Sequence, residues 1–150
     1  MTRATSFLDV NIPMYAAGQD HPLKASCAWV MTQITNASLD VAIDTEIIQE
    51  ILYRFGALRR WDIAVAMASN LLELVPVVHP IHLAEATLTI DLYKKYAPQG
   101  IPARDLIHVA VMNHNDLTQI ISTDTHFDLI PGITRLDPHA LFTTRSTTTP

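Results

Sequence analysis

The chain has 150 residues, 49% hydrophobic and 17% charged, with a single cysteine and a formal net charge of -5 when histidines are neutral. That length holds one domain, that composition is globular, and a lone Cys27 excludes an intramolecular disulfide and fits a reducing, cytoplasmic setting. The acidic balance excludes a surface that grips nucleic acid by bulk positive charge, and no apolar run approaches the roughly 20 residues of a membrane helix.

"SFLDV" is short, apolar and interrupted by Asp9, and it predicts a first strand over 5–10. "HPLKASCAWVMTQITN" (21–36) places Leu23, Cys27, Val30, Met31 and Ile34 at helical spacing, with Pro22 suited to the start. "DVAIDT" (40–45) is a second strand. The helix "TEIIQEILYRFG" follows at once, with Ile47, Ile48, Ile51, Leu52 and Phe55 on one face, Thr45 as N-cap and Gly56 as a break. A helix over 61–74 comes next, then a β-branched strand bounded by prolines over 75–80. An amphipathic helix over 82–100 ends at Pro98 and Gly100. The helix over 102–115 is apolar almost all round from Leu106 to Met112, which places it in the centre of the molecule. A buried strand over 118–123 and an edge strand over 132–138 complete the series. "TTRSTTTP" is low-complexity and cannot pack a core, so 143–150 is expected to be a disordered tail to a domain over 1–142. Strands alternating with helices predict an α/β sandwich around a mostly parallel sheet of about five strands. In such folds ligands gather beyond the carboxyl ends of the strands.

Four acids fall at those places. Asp9 lies at the end of the first strand and Asp124 ends the strand over 118–123. Glu50 lies a turn and a half into the helix after the second strand, and Asp105 is in the first turn of the buried helix. A parallel sheet would bring all four to one edge. Two like unit charges 4 Å apart repel by about 4 kcal/mol at an effective dielectric of about 20, so such a group either stays partly protonated or holds a cation. Carboxylates without paired Cys or His ligands suit Mg²⁺ or Mn²⁺, and with them phosphoryl or phosphodiester chemistry. Each acid also has a plainer explanation. The helix dipole favours Asp105, Glu50 and Glu46 fit a solvated helix face, and "TDTH" suits an Asx-type turn at Asp124. Asp9 and Asp124 resist dismissal because acids are depleted from strands. The weight rests on the four together.

"FLDVNIPMYA", "TEIIQEILYRF", "ARDLIHVAVM" and "IISTDTHFD" resemble, in that order, the motifs of the PIN domain family, and within it the VapC-like toxin ribonucleases of prokaryotic toxin–antitoxin pairs. The resemblance runs over residues 5–141. It implies a three-layer α/β/α sandwich and a Mg²⁺- or Mn²⁺-dependent endoribonuclease leaving 5′-phosphate and 3′-hydroxyl ends. It also implies a homodimer and an antitoxin that blocks the site. By position it makes Asp9, Glu50, Asp105 and Asp124 the catalytic and metal-holding acids. Ser122 and Asn11 would be secondary contacts, and Asp128 a further acid that only some members of the family carry. Glu46 matches no motif acid, and it lies nearly opposite the helix's apolar stripe, whereas Glu50 lies nearer the edge. Arg54, Arg59 and Arg60, or Lys94 and Lys95, would supply a basic margin for RNA, although such runs are usually solvated faces.

Other residues are weaker. His79 and His82 lack the helix and glutamate of a zinc pair and read as a loop. His108 reads as a satisfied core histidine, and His126 as a loop residue or a substrate contact. Cys27 reads as inert core, and Trp29 and Trp61 either stack bases, are buried, or sit at a dimer seam. Only four glycines exist, and no phosphate-cradling loop is among them. Two rivals remain: a PIN-like binding module that no longer cleaves, acting through a protein or RNA partner, and a phosphatase-type acid-edge enzyme. The second needs an aspartate two residues after Asp9, where Asn11 stands.

Overall fold

A computed structural model describes residues 4–145. Its strands are β1 (Ser6–Leu8), β2 (Val41–Asp44), β3 (Val77–His79), β4 (Gln119–Ile121) and β5 (Thr134–Leu136). Its α-helices are α1 (Asn11–Ala17), α2 (Lys24–Thr35), α3 (Thr45–Ala57), α4 (Trp61–Leu74), α5 (Leu83–Tyr96), α6 (Ala103–His114) and α7 (Pro138–Thr143). The strands form one sheet in the order β3-β2-β1-β4-β5, and every neighbouring pair is parallel. The sheet is therefore wholly parallel where mostly parallel was expected, and the helices flank it as an α/β/α sandwich. No described helix is long and apolar enough to cross a membrane.

Burial explains the strand sequences. β1 and β2 are buried along their whole length, as central strands covered on both faces must be, and they are apolar apart from Ser6 at the start of β1 and Asp44 at the end of β2. The outer strands β3 and β5 are half-exposed and more polar. α6 packs under the sheet with Leu106, Val109 and Met112 fully buried, and it carries Asp105 and His108 into that interior.

Two helices were not expected. α1 contains Pro13, but in the first turn, where a missing N–H costs nothing. α7 begins at Pro138 with Asp137 as its cap, the carboxylate accepting from Ala140 N at 3.1 Å. Its last residue, Thr143, carries helix past the expected domain boundary at 142, and the expected tail residues 146–150 lie outside the described residues. The helix expected over 82–100 stops at Tyr96 and gives way to a 3₁₀ turn, Ala97–Gln99, closed by Gly100 at φ 89°. The N-cap of α3 is Asp44 rather than Thr45: its Oδ1 accepts from Ile47 N at 3.1 Å. α3 also runs through Gly56 to Ala57.

Candidate active site

The carboxyl ends of β1 and β4, the two central neighbours, are laced together by short polar contacts. Asp9 follows β1 and is 4% exposed. Its Oδ1 accepts from Val10 N at 2.8 Å, and its Oδ2 accepts from Ser122 Oγ at 2.6 Å and from Asn11 Nδ2 at 3.3 Å. Ser122, just past β4 and fully buried, in turn accepts at Oγ from Asp124 N at 2.9 Å and from Asn11 Nδ2 at 3.4 Å. Asn11 also accepts from Thr123 N at 3.4 Å. One serine and one asparagine thus orient the first acid and the loop that bears another.

Asp105, in the first turn of α6, and Asp124 meet across His126. One ligating atom from each of these three residues lies within 4.8 Å of the other two. The His126 ring nitrogen Nδ1 is 2.9 Å from Asp124 Oδ1 and 3.3 Å from Asp105 Oδ2, and its backbone N donates to Asp124 Oδ1. Charge repulsion links these acids to the rest. Burial, with the charges of Asp9 and Asp124 added, pushes the Asp105 carboxyl up to about 6. Burial also pushes Asp9 up, with Glu50 adding to it, while His108 and the Ser122 hydroxyl oppose the rise. Glu50, Asp9, Asp105 and Asp124 therefore form a chain in which each acid feels the next.

Glu50 joins that chain from α3 but is held differently. It is 5% exposed, its Oε1 is 2.6 Å from His108 Nε2, and its Oε2 is 3.7 Å from Arg54 Nη2. The other face of the fully buried His108 ring sits with Nδ1 2.7 Å from Asp44 Oδ2. Burial alone would push this ring's pKa down, but the carboxylates of Asp44, Glu50 and Asp9 overcome that and hold it well above its usual range. His108 is a satisfied core histidine, as its sequence setting suggested, and its partners are acids of the site. Glu46 is only half-buried, and its carboxyl is pushed up by burial and by Glu50 beside it.

Asp128 lies apart from this group. Arg135 donates to its two oxygens from Nε at 3.0 Å and Nη2 at 3.2 Å, and the same guanidinium donates from Nη1 to Ser122 O at 3.1 Å. Asp128 is thus engaged in holding the arginine that fastens β5 to the end of β4. The remaining expectations resolve simply. His82 caps α5, and the Glu85 side chain accepts from its backbone N at 3.0 Å. Trp29 packs edge-on against Phe142, and Trp61 sits under Arg59. Burial pushes the Cys27 thiol up to about 11, an inert state.

Beside Glu50 opens a shallow pocket of about 270 Å³ lined by Glu46, Gln49, Glu50, Tyr53, Arg54 and Arg104. Arg54 was among the expected basic residues, whereas Arg104 was not. A larger pocket of about 480 Å³ between α1, α2 and α4 is lined mainly by alanine, methionine and leucine and holds no acid, so it has no part in this chemistry. Sequence reasoning also missed Asp44 and the place of His126 in the cluster. Asp44 had a signal: it ends β2 just as Asp9 follows β1. His108 lies three residues after Asp105, hence on a neighbouring part of the same helical surface.

The sequence matches the family model of the PIN domain over residues 6–133, a span that includes all four acids. It is 34% identical over 129 residues to a VapC ribonuclease of Mycobacterium bovis and, equally, to ribonuclease VapC13 of Mycobacterium tuberculosis, covering 86% of this chain and 97% of each relative. Among solved structures it is similar to DNA-bound VapBC from Salmonella typhimurium, with TM-score 0.69 and 16% identity over 91% of this chain and 99% of that one. It is also similar to the sarcin-ricin-loop-cleaving toxin VapC20 of Mycobacterium tuberculosis, with TM-score 0.68 and 14% identity over 81% of this chain and 91% of that one. At such identities the structural matches speak for the fold alone.

Proposed function

The chain belongs to the PIN domain family, and from that premise we propose that it is a metal-dependent endoribonuclease, the toxin of a toxin–antitoxin pair. The observation that carries this is the convergence of Asp105, Asp124 and His126, with the Asp105 carboxyl pushed up by burial and by the charges of Asp9 and Asp124, and the Asp9 carboxyl by burial and by Glu50. Oxygen-rich donors that repel one another in the absence of a cation fit a divalent ion, and they favour Mg²⁺ or Mn²⁺. Asp9, Asp105 and Asp124 would hold it, with Glu50 contributing through Oε2 from the α3 side and His126 available as a nitrogen donor. When bound, such an ion polarises a phosphate oxygen and makes water a better nucleophile.

The chain's own groups do the rest. Ser122 and Asn11 keep Asp9 aimed, and His126 spans Asp105 and Asp124. Arg54 and Arg104 border the pocket beside Glu50, where a phosphodiester backbone would lie, and the exposed Tyr53 offers a face for a base. These two guanidiniums, together with a cation held by the acids, would reconcile RNA binding with a net charge of -5. The naming of the curated relatives as ribonucleases supports RNA as substrate, and the VapBC assemblies among the structural relatives support an antitoxin partner. A homodimer working in the cytoplasm completes the proposal.

The deciding experiment incubates the purified protein with labelled RNA and Mg²⁺ or Mn²⁺, with and without EDTA, beside Asp9→Asn and Asp105→Asn. Cleavage should require the metal and both aspartates. Cutting that survives chelation and both substitutions comes from a contaminant and removes the proposal. RNA binding with no cutting under any metal leaves the non-cleaving module.

A further inference from the structure

Behind the acids, α6 buries an ionic trio that the metal chemistry does not explain. His108 is 0% exposed and stands between two carboxylates, Asp44 Oδ2 at 2.7 Å and Glu50 Oε1 at 2.6 Å. We propose that His108 is a positioning residue for cleavage: anchored by Asp44, it fixes the Glu50 carboxylate so that a single oxygen, Oε2, is left to serve the site. The proposal deepens the nuclease function above and rests on it.

Three observations carry it. First, both partners of the ring are carboxylate oxygens, which when ionised only accept, so with both acids ionised each ring nitrogen donates to one of them, and a flip of the ring would break both contacts. Second, the anchor is itself fixed. Asp44 uses Oδ1 to cap α3 through Ile47 N, leaving Oδ2 for the ring. The Phe7 ring of β1 lies 5.1 Å away, centroid to centroid, and braces the imidazole from another side. Third, His108 shares α6 with Asp105. The helix therefore presents Asp105 to Asp124 and His126 while its next turn takes hold of Glu50, which ties the spacing of two acids that come from different helices. Without the ring, Glu50 would have three rotatable side-chain bonds and a distant Arg54 at 3.7 Å to direct it.

Packing alone does not account for such a trio. Apolar residues of similar volume often stabilise a protein as well as or better than a buried ion cluster, so a cluster placed directly behind an acid of the site points to alignment of that acid. Partners of this kind behind metal-holding side chains typically cost about 10- to 100-fold in affinity or activity when removed.

The test uses the full chain and labelled RNA with Mn²⁺. His108→Leu removes both donors, and His108→Gln places a single donor near the position of Nε2. His108→Leu should lower kcat by about 100-fold with KM changed by less than about threefold, and His108→Gln should recover about tenfold of that loss. In a Glu50→Gln background, His108→Leu should cause no further loss, because the ring acts through Glu50. Losses that multiply in the double variant, or a glutamine no better than leucine, overturn the proposal. If His108→Leu does not fold, His108→Gln paired with Glu50→Gln carries the same comparison. A readout independent of catalysis is the ring itself: in metal-free protein labelled with ¹⁵N-histidine, both His108 ring nitrogens should carry exchange-protected protons, and Glu50→Gln should shift the Nε2 proton. A bare ring nitrogen overturns the clamp even in a protein that cuts RNA. An intact clamp in a protein that cuts nothing overturns the nuclease function instead.

Discussion

Replacing Asp105 by asparagine should stabilise the metal-free protein at pH 7.5, although it removes an acid from the centre of the site. Asp105 is 6% exposed, and its carboxyl is pushed from 3.8 up to about 6 by burial first and by Asp9 and Asp124 next. The folded-state pKa lies above the unfolded one, so the folded chain binds the extra proton between those values. Stability therefore falls as pH rises through the window from about 4 to about 6, and above it the whole penalty is present. At 1.36 kcal/mol per unit the penalty is about 3 kcal/mol as an upper figure. The asparagine side chain has nearly the same shape and carries no charge, so up to that amount is regained at pH 7.5 and much less at pH 4.5. For a chain of this size, about 2–4 °C of Tm accompanies each kcal/mol, which makes a rise of several degrees measurable by calorimetry in EDTA. Saturating Mn²⁺ should reverse the order, because the wild-type acids gain a ligand that stabilises only the folded state. An Asp105→Asn protein that melts lower than wild type in EDTA at pH 7.5, or that shows the same shift at both pH values, would refute the reasoning.

Three further outcomes follow from the contacts. Ser122→Ala removes the donor held 2.6 Å from Asp9 and the acceptor for Asp124 N, so urea unfolding should show a loss of about 1–3 kcal/mol and cleavage should slow about tenfold or more. Asp128→Ala breaks a half-exposed pair with Arg135, so it should cost about 1 kcal/mol or less and leave cleavage within about threefold; a loss as deep as that of Asp105→Asn would put Asp128 in the site after all. With its thiol buried and pushed up to about 11, Cys27 should react with a disulfide reagent only on unfolding, and rapid labelling of the native chain would contradict its placement.

The central strands were legible because a parallel sheet covered on both faces writes near-continuous apolar runs, and α3 and α4 because each has one apolar stripe. α1 was not legible, since "NIPMYAA" carries a proline and no polar face, and only its place against α2 makes it a helix. α7 carried a readable Asp-Pro start that was masked by the threonine-rich stretch after it. For the candidate site, topological position together with the resemblance to the PIN motifs singled out Asp9, Glu50, Asp105 and Asp124. What position could not give was which nitrogen meets which oxygen. His108 touches Asp44 and Glu50, 64 and 58 residues away, through the crossing of α6 with the β2–α3 junction, and no local pattern encodes such a crossing. His126 was hidden for the opposite reason. It lies two residues from Asp124 in a tight 3₁₀ turn, Thr125–Leu129, whose geometry decides that the ring turns back to Asp105.

The Arg135 guanidinium reaches Asp128, the Ser122 carbonyl and, 3.6 Å from Nη1, Asp137, the residue that caps α7. A bulky affinity tag that unravels α7 would take Asp137 with it and slacken the grip on the backbone that bears Ser122. Where a fusion partner is attached is therefore a choice about the geometry of the candidate site as well as about purification.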